Sequence, residues 1–175
     1  MGALVVYESM FGNTEAVAQA VAEGLGSTMP VEVVEVGDAR ALELIDTDLL
    51  VVGAPTHAFG LSRPQTRRDA VARGGAVISD ARAMRDWLGS RSSLDLRVAA
   101  FDTHVKVPPV PGSAAQKAIK LLERRGCTAV DQPTSFYVHG YEGPLYPDEL
   151  QRAKDWGTHL GTCVARLDAK TTPAT

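Results

Sequence analysis

Short runs of apolar and β-branched residues recur along this chain with helical stripes between them, and no other feature restricts its fold so far. The runs are ALVVY from Ala3, VEVVEV from Val31, LLVVGAP from Leu49 and RVAAFD from Arg97. The first, third and fourth are nearly all apolar, as strands covered on both faces must be, whereas the second alternates like an edge strand. A weaker fifth run, TSFYVHG, surrounds Phe136. Between the runs, Val17, Val21 and Leu25 recur at spacing four, and Ala115, Ala118, Ile119 and Leu122 mark a second inward stripe. Leu150, Ala153, Gly157, Leu160 and Val164 give the last helix one apolar face. Strands joined through helices require crossover connections, which are right-handed and build parallel sheets. The expected fold is therefore α/β, a doubly wound five-stranded parallel sheet with helices on both faces.

Helix punctuation agrees. Asn13 or Thr14 can cap the first helix, Glu15 suits its positive end, and Gly24 and Gly26 can end it. Ser113 is placed to cap the fourth crossover helix, Gly126 to stop it, and Pro147 to precede the last. The segment from Leu61 to Leu96 is too long for a minimal crossover and reads as an insertion beside the site. It holds a short helix with Met84, Trp87 and Leu88 on one face. Arg63, Arg67, Arg68 and Arg73 read as a solvated helix face laced to Asp69 and Asp80. One domain over residues 1–167 is expected, with 168–175 a polar, disordered tail.

A chain of 175 residues suffices for one core and is short for two, and a net charge of −3 gives no electrostatic case for nucleic acid or membrane surfaces. Cys127 and Cys163 lack any metal-type spacing and read as reduced, core-filling thiols. The N-terminus lacks the basic flank of a secretory leader, and no run is long enough to span a bilayer, so a cytoplasmic location is expected.

Ser, Gly, Asn and Thr crowd the stretch YESMFGNTEAV, residues 7–17, without a Lys or Arg. It lies where the first strand ends and the first helix begins. In an open parallel sheet this is where ligands sit, and a helix N-terminus can hold a phosphate through its unpaired N–H groups alone. Gly12 lets backbone approach a ligand, and Ser9, Asn13 and Thr14 offer hydroxyl and amide donors. The same residues also suit an ordinary capped turn. Neither GxxxxGK[ST] nor GxGxxG follows any strand, so a hydrolysing phosphate loop and a dinucleotide fingerprint are both unsupported.

The motif SMFGNT, Ser9 to Thr14, resembles the FMN phosphate loop of flavodoxins. GAPTHAFG from Gly53 resembles their second loop, AAFDTHVKVPP from Ala99 occupies the place of the third, and GPLYPDELQRAKDW from Gly143 resembles the approach to their last helix. The resemblance implies a flavodoxin-like FMN-binding protein. It gives Ser9, Met10, Phe11, Gly12, Asn13 and Thr14 to the phosphate, and Pro55 and Thr56 to the ribityl chain and ring. His57 stands where flavodoxins often place a Trp, His104 falls near their second stacking aromatic, and Phe59 is an alternative stacker. The backbone from His57 through Ala58 and Phe59 to Gly60 would face the flavin N5, and Asp102 and Thr103 the pyrimidine side. No catalytic side chain and no metal are implied.

The chain departs from its familiar acidic relatives by being nearly neutral, with His57, His104 and Lys106 by the ring. A less negative flavin potential is therefore expected, rising further as either histidine takes a proton. Three functions remain open: an electron carrier between redox proteins, a reductase of quinone-like acceptors fed by a reduced nicotinamide or deazaflavin, and a flavin-free binding module. Redox partner proteins or a small quinone-like acceptor are the expected partners, and nucleic acid and membranes are not.

Overall fold

The computed structural model describes residues 2–57, 60–72, 82–89, 92–106 and 112–171. Along the chain run β1 (Ala3–Tyr7), α1 (Asn13–Leu25), β2 (Val31–Glu35), a 3-10 turn (Leu42–Leu44) and β3 (Leu49–Pro55). There follow α2 (Pro64–Ala72), the short α3 (Met84–Trp87), β4 (Arg97–Val105), α4 (Ala114–Glu123), β5 (Thr128–Ala129), β6 (Thr134–Val138) and α5 (Glu149–Thr171). All strand pairings are parallel, in the order β2-β1-β3-β4. The outer edge of β4 is then taken by two successive segments, β5 opposite Arg97 and Val98, and β6 opposite Phe101 to Val105. They act as one interrupted fifth strand. The sequence shows only its second half, because Thr128–Ala129 is too short to carry a pattern.

Each face of the sheet buries its own core. Val5, Val51, Ala99 and Phe136 pack against Val17, Val21, Leu25, Trp156 and Leu160 of α1 and α5. Val52, Val98 and Ala100 pack against Met84, Trp87, Leu88, Ala115, Ala118 and Leu122 on the other side. Both faces of β3 are thus covered, and each buried aliphatic side chain contributes roughly 1.5–3 kcal/mol. Leu150 is the exception on α5, 46% exposed one turn outside the stripe.

Several boundary expectations need correction. Helix α1 opens at Asn13 with Gly12 as its N-cap and no side-chain cap, so neither Asn13 nor Thr14 caps it. It ends at Leu25 before Gly26, and Gly24 lies inside it. Gly24 serves the crossing of α1 with α5, where a Cβ would come within 2.0 Å of the Lys154 carbonyl. Ser113 does cap α4, accepting the Gln116 N–H. Helix α5 runs on to Thr171, so residues 168–171 belong to the helix and not to the expected tail, with Asp168 paired to Arg97 in the added turn, and 172–175 lie outside the described residues. Cys127 is buried and Cys163 half-buried, its sulfur 3.4 Å from His159 Nε2, so only the former fills core. Asp69 is engaged by Gln65, and Arg85 reaches back to the carbonyls of Leu61 and Ser62. Arg73 and Asp80 lie outside the described residues.

Candidate functional site

The chain leaves β1 into a tight loop folded inward on Ser9. Its hydroxyl, wholly buried, accepts the Gly12 N–H at 3.1 Å and the Glu15 N–H at 3.4 Å. Gly12 takes φ 87°, a left-handed conformation that side-chain-bearing residues avoid. Among the described residues, the N–H groups of Phe11, Asn13 and Thr14 find no acceptor. They stand at the start of a 13-residue helix, where the helix dipole adds its positive end.

Helix α4 also points its N-terminus towards the site, but its amides are spent. Ala114 N–H donates to Thr56 Oγ1 at 2.8 Å, Ala115 N–H to Asp102 Oδ2 at 2.9 Å, and Gln116 N–H to Ser113 Oγ at 3.2 Å. Of the two helix ends, only that of α1 is open to an anion.

A crevice of about 680 Å³ opens beside that end, across the carboxyl ends of β1, β3, β4 and β6. It spans the place between β1 and β3 where strand order reverses, the position where open α/β sheets bind ligands. Met10, Phe11, Asn13 and Thr14 line it from the first loop, and Pro55, Thr56 and His57 from the end of β3. Thr103, His104, Val105 and Lys106 line it from β4, and Ser135, Tyr137 and Tyr141 from β6 and the turn beyond.

The side chains divide into those that face the crevice freely and those already committed. Thr14 Oγ1 and Thr103 Oγ1 share a buried hydrogen bond of 2.7 Å. Asn13 Nδ2 donates to the Glu142 carbonyl at 2.9 Å, which ties α1 to the turn after β6. Ser9 and Asn13 thus shape the loop with their side chains and leave the backbone to meet a ligand. Asp102 is fully buried and does not line the crevice: Oδ2 holds α4, and Oδ1 lies 2.8 Å from His104 Nδ1. His104 meets the Tyr137 ring edge-on at 5.2 Å. Lys106 Nζ sits 5.6 Å from the centre of the same ring.

His57 is half-buried, and its Nε2 is buried with no partner among the described residues. Burial pushes its pKa down, so the ring is neutral at pH 7. Protonation of this histidine, expected to raise the flavin potential as pH falls, is therefore moved to lower pH than for an ordinary imidazole. Its backbone pairs with Gly60 in both directions, closing a short loop, while Ala58 and Phe59 lie outside the described residues. Sequence reasoning missed Ser135, Tyr137 and Tyr141. For the first two a signal existed, since alternation along TSFYV puts them opposite the buried Phe136, and register sets Tyr137 beside His104.

Among the described residues, no group of three or more His, Cys, Asp or Glu is placed to hold a metal, and no helix is long and apolar enough to cross a membrane. Fold and crevice together define a doubly wound α/β protein of the 2-1-3-4-5 strand order with an anion-ready loop at its switch point. Residues 5–72, which hold the first loop and the β3 turn, match the flavodoxin family. The fold is similar to that of a flavodoxin from the domain Archaea, with 23% identity, a TM-score of 0.67, and 94% of this chain and 99% of that one covered. It is similar also to oxidised flavodoxin 1 from Bacillus cereus (21% identity, TM-score 0.67, 93% and 98% covered). A third likeness is to a short-chain flavodoxin associated with a non-canonical PDU bacterial microcompartment (19% identity, TM-score 0.66, 95% and 99% covered). The chain thus has the flavodoxin fold along nearly its whole length, and residues 5–72 carry the match to the family.

Proposed function

We propose that this protein binds FMN in the crevice and passes electrons from a donor to an acceptor, either a redox protein or a small quinone-like molecule. The observation that carries the reading is the set of unspent N–H groups at Phe11, Asn13 and Thr14, opening onto a cavity whose volume lies in the range of small-molecule sites. A phosphate monoester suits that donor set, because neutral amides at a helix N-terminus stabilise negative charge without a cationic side chain. Beyond the phosphate, Pro55, Met10 and Tyr137 supply apolar contact for a flat ring, and Thr56 and Thr103 border it with polar atoms. Bound FMN supplies one- and two-electron chemistry, and the protein's part is to bind, orient and tune it. His57 presents a neutral ring with one uncommitted nitrogen, and Lys106 brings a positive charge to the rim. Two unpaired cysteines suit a reducing, cytoplasmic compartment.

The visible spectrum of freshly purified protein, with mass analysis of the released cofactor, tests the reading. FMN is the expected result. FAD, or no flavin after reconstitution, would overturn it.

A further inference from the structure

One histidine lining the crevice is held through a ring nitrogen by a buried carboxyl group. On β4, Asp102 and His104 lie two residues apart and so share a face, while Thr103 between them turns to Thr14. Asp102 is fully buried and fixed by the Ala115 N–H of α4, which leaves Oδ1 aimed at His104. A carboxylate only accepts, so the proton of this contact sits on His104 Nδ1 and Nε2 is the working nitrogen. Tyr137, set against the ring at 88°, fixes its plane. The ring lines the crevice and keeps 23% of its side chain exposed, which gives it both a ligand-facing position and a route to solvent protons.

This inference rests on the FMN reading and goes beyond it. We infer that His104, positioned by Asp102, delivers a proton to the molecule that FMN reduces, and that this molecule is a small acceptor of the quinone class. Passing single electrons to another protein needs no proton donor fixed in the crevice. Reducing a quinone does. Bound FMN, reduced by a hydride donor of the reduced-nicotinamide class, would supply a hydride equivalent, two electrons and a proton, to one quinone oxygen, and the other oxygen would take the Nε2 proton of the His104 imidazolium. The products are oxidised FMN, the hydroquinol and neutral His104, whose Nδ1–H remains on Asp102 and whose Nε2 recovers its proton from water. Asp102 and Tyr137 touch this ring, and the other titratable groups lining the crevice are Lys106 on its own strand, His57 at the end of β3 and Tyr141 beyond β6; α4 presents none to the crevice among the described residues.

The test compares two acceptors on FMN-loaded parent, His104→Gln and Asp102→Asn. Ferricyanide takes electrons without protons, and 1,4-benzoquinone takes both. With NADH or NADPH as donor and saturating FMN, both variants should lose about tenfold or more of the ratio of benzoquinone to ferricyanide turnover, in kcat rather than KM. Nitrogen NMR should report the Nδ1–H tautomer in the parent and its loss in Asp102→Asn, a readout that does not depend on activity. Asp102→Asn keeps an acceptor for the Ala115 N–H, so it should fold. Equal losses with both acceptors, no loss with either, or a flavin-loaded parent that reduces benzoquinone no faster than free FMN would overturn the inference while leaving FMN binding intact. A parent that binds no FMN would overturn the reading beneath it.

Discussion

Glu8 Oε2 accepts the backbone N–H of Met84 at 2.6 Å, joining the end of β1 to a residue 76 positions away. Its other oxygen is buried with no hydrogen-bond partner among the described residues, and burial raises its pKa above the ordinary carboxylate value, with Glu35 adding to the rise. The Ser62 hydroxyl, the Met84 N–H and the Arg67 charge pull the other way without cancelling it. A raised folded-state value means stability that is present below the unfolded pKa and lost as pH rises through the folded one. Glu8→Gln keeps an acceptor for Met84 and removes the charge. Its stability relative to the parent should therefore improve between pH 5 and pH 8, as read by urea unfolding at both. A difference that stays constant with pH would show that Glu8 does not titrate in this range.

His57 gives the opposite slope. Its folded pKa is lowered by burial, so the stability linked to it is present above the unfolded value near 6.5 and is lost as pH falls through the folded value. His57→Gln should flatten the acid limb of the stability profile. Thermal unfolding from pH 7 down to pH 5 measures this, and parallel profiles for parent and variant would refute it.

The flavin loop should tolerate neither loss of its internal acceptor nor a side chain at its turn. Ser9→Ala removes the partner of two half-buried N–H groups, and Gly12→Val forces a β-branched residue to φ 87°. Each should cost about 1–3 kcal/mol of stability and weaken FMN. Thr14→Ala should weaken FMN by about 1 kcal/mol and leave Thr103 Oγ1 without its partner. Fluorescence titration with FMN measures all three, and parent-like affinity throughout would displace the phosphate from this loop.

Gly24 offers a control remote from the crevice. Gly24→Ala would place a methyl group 2.0 Å from the Lys154 carbonyl oxygen, forcing α1 and α5 apart. A loss of about 1–3 kcal/mol is expected from overpacking, seen as a lower midpoint in urea with an unchanged flavin spectrum. An unaffected midpoint would mean that the two helices do not cross this closely.

Lys106 should set the flavin potential more than His57 does at pH 7. A unit charge about 8 Å from the ring is worth on the order of 2 kcal/mol at an effective dielectric near 20, before screening. Lys106→Gln should therefore make the potential more negative, and His57→Gln should change it little, because that ring is already neutral. Spectroelectrochemical titration of the two variants decides, and equal shifts in both would contradict the assignment of charge.

The sequence by itself determined the layers and the loop. Runs such as LLVVGAP can be satisfied only by burial on both faces, and the crossover rule leaves few ways to join them, so the parallel sheet follows from local pattern. SMFGNT was legible for the same reason, since a turn that must admit a left-handed residue and begin a helix advertises itself in a few adjacent side chains. Tertiary structure alone decided which donors remain free. Ser9 turns inward, Asn13 is drawn to Glu142, and Asp102 is divided between α4 and His104. Each of these choices is a competition among hydrogen-bond partners, settled by three-dimensional placement even where the winner is a near neighbour, and for Asn13 the winner lies 129 positions away. His57 is neutral for a related reason: burial depends on which elements close over a side chain, and no window of sequence around it contains them.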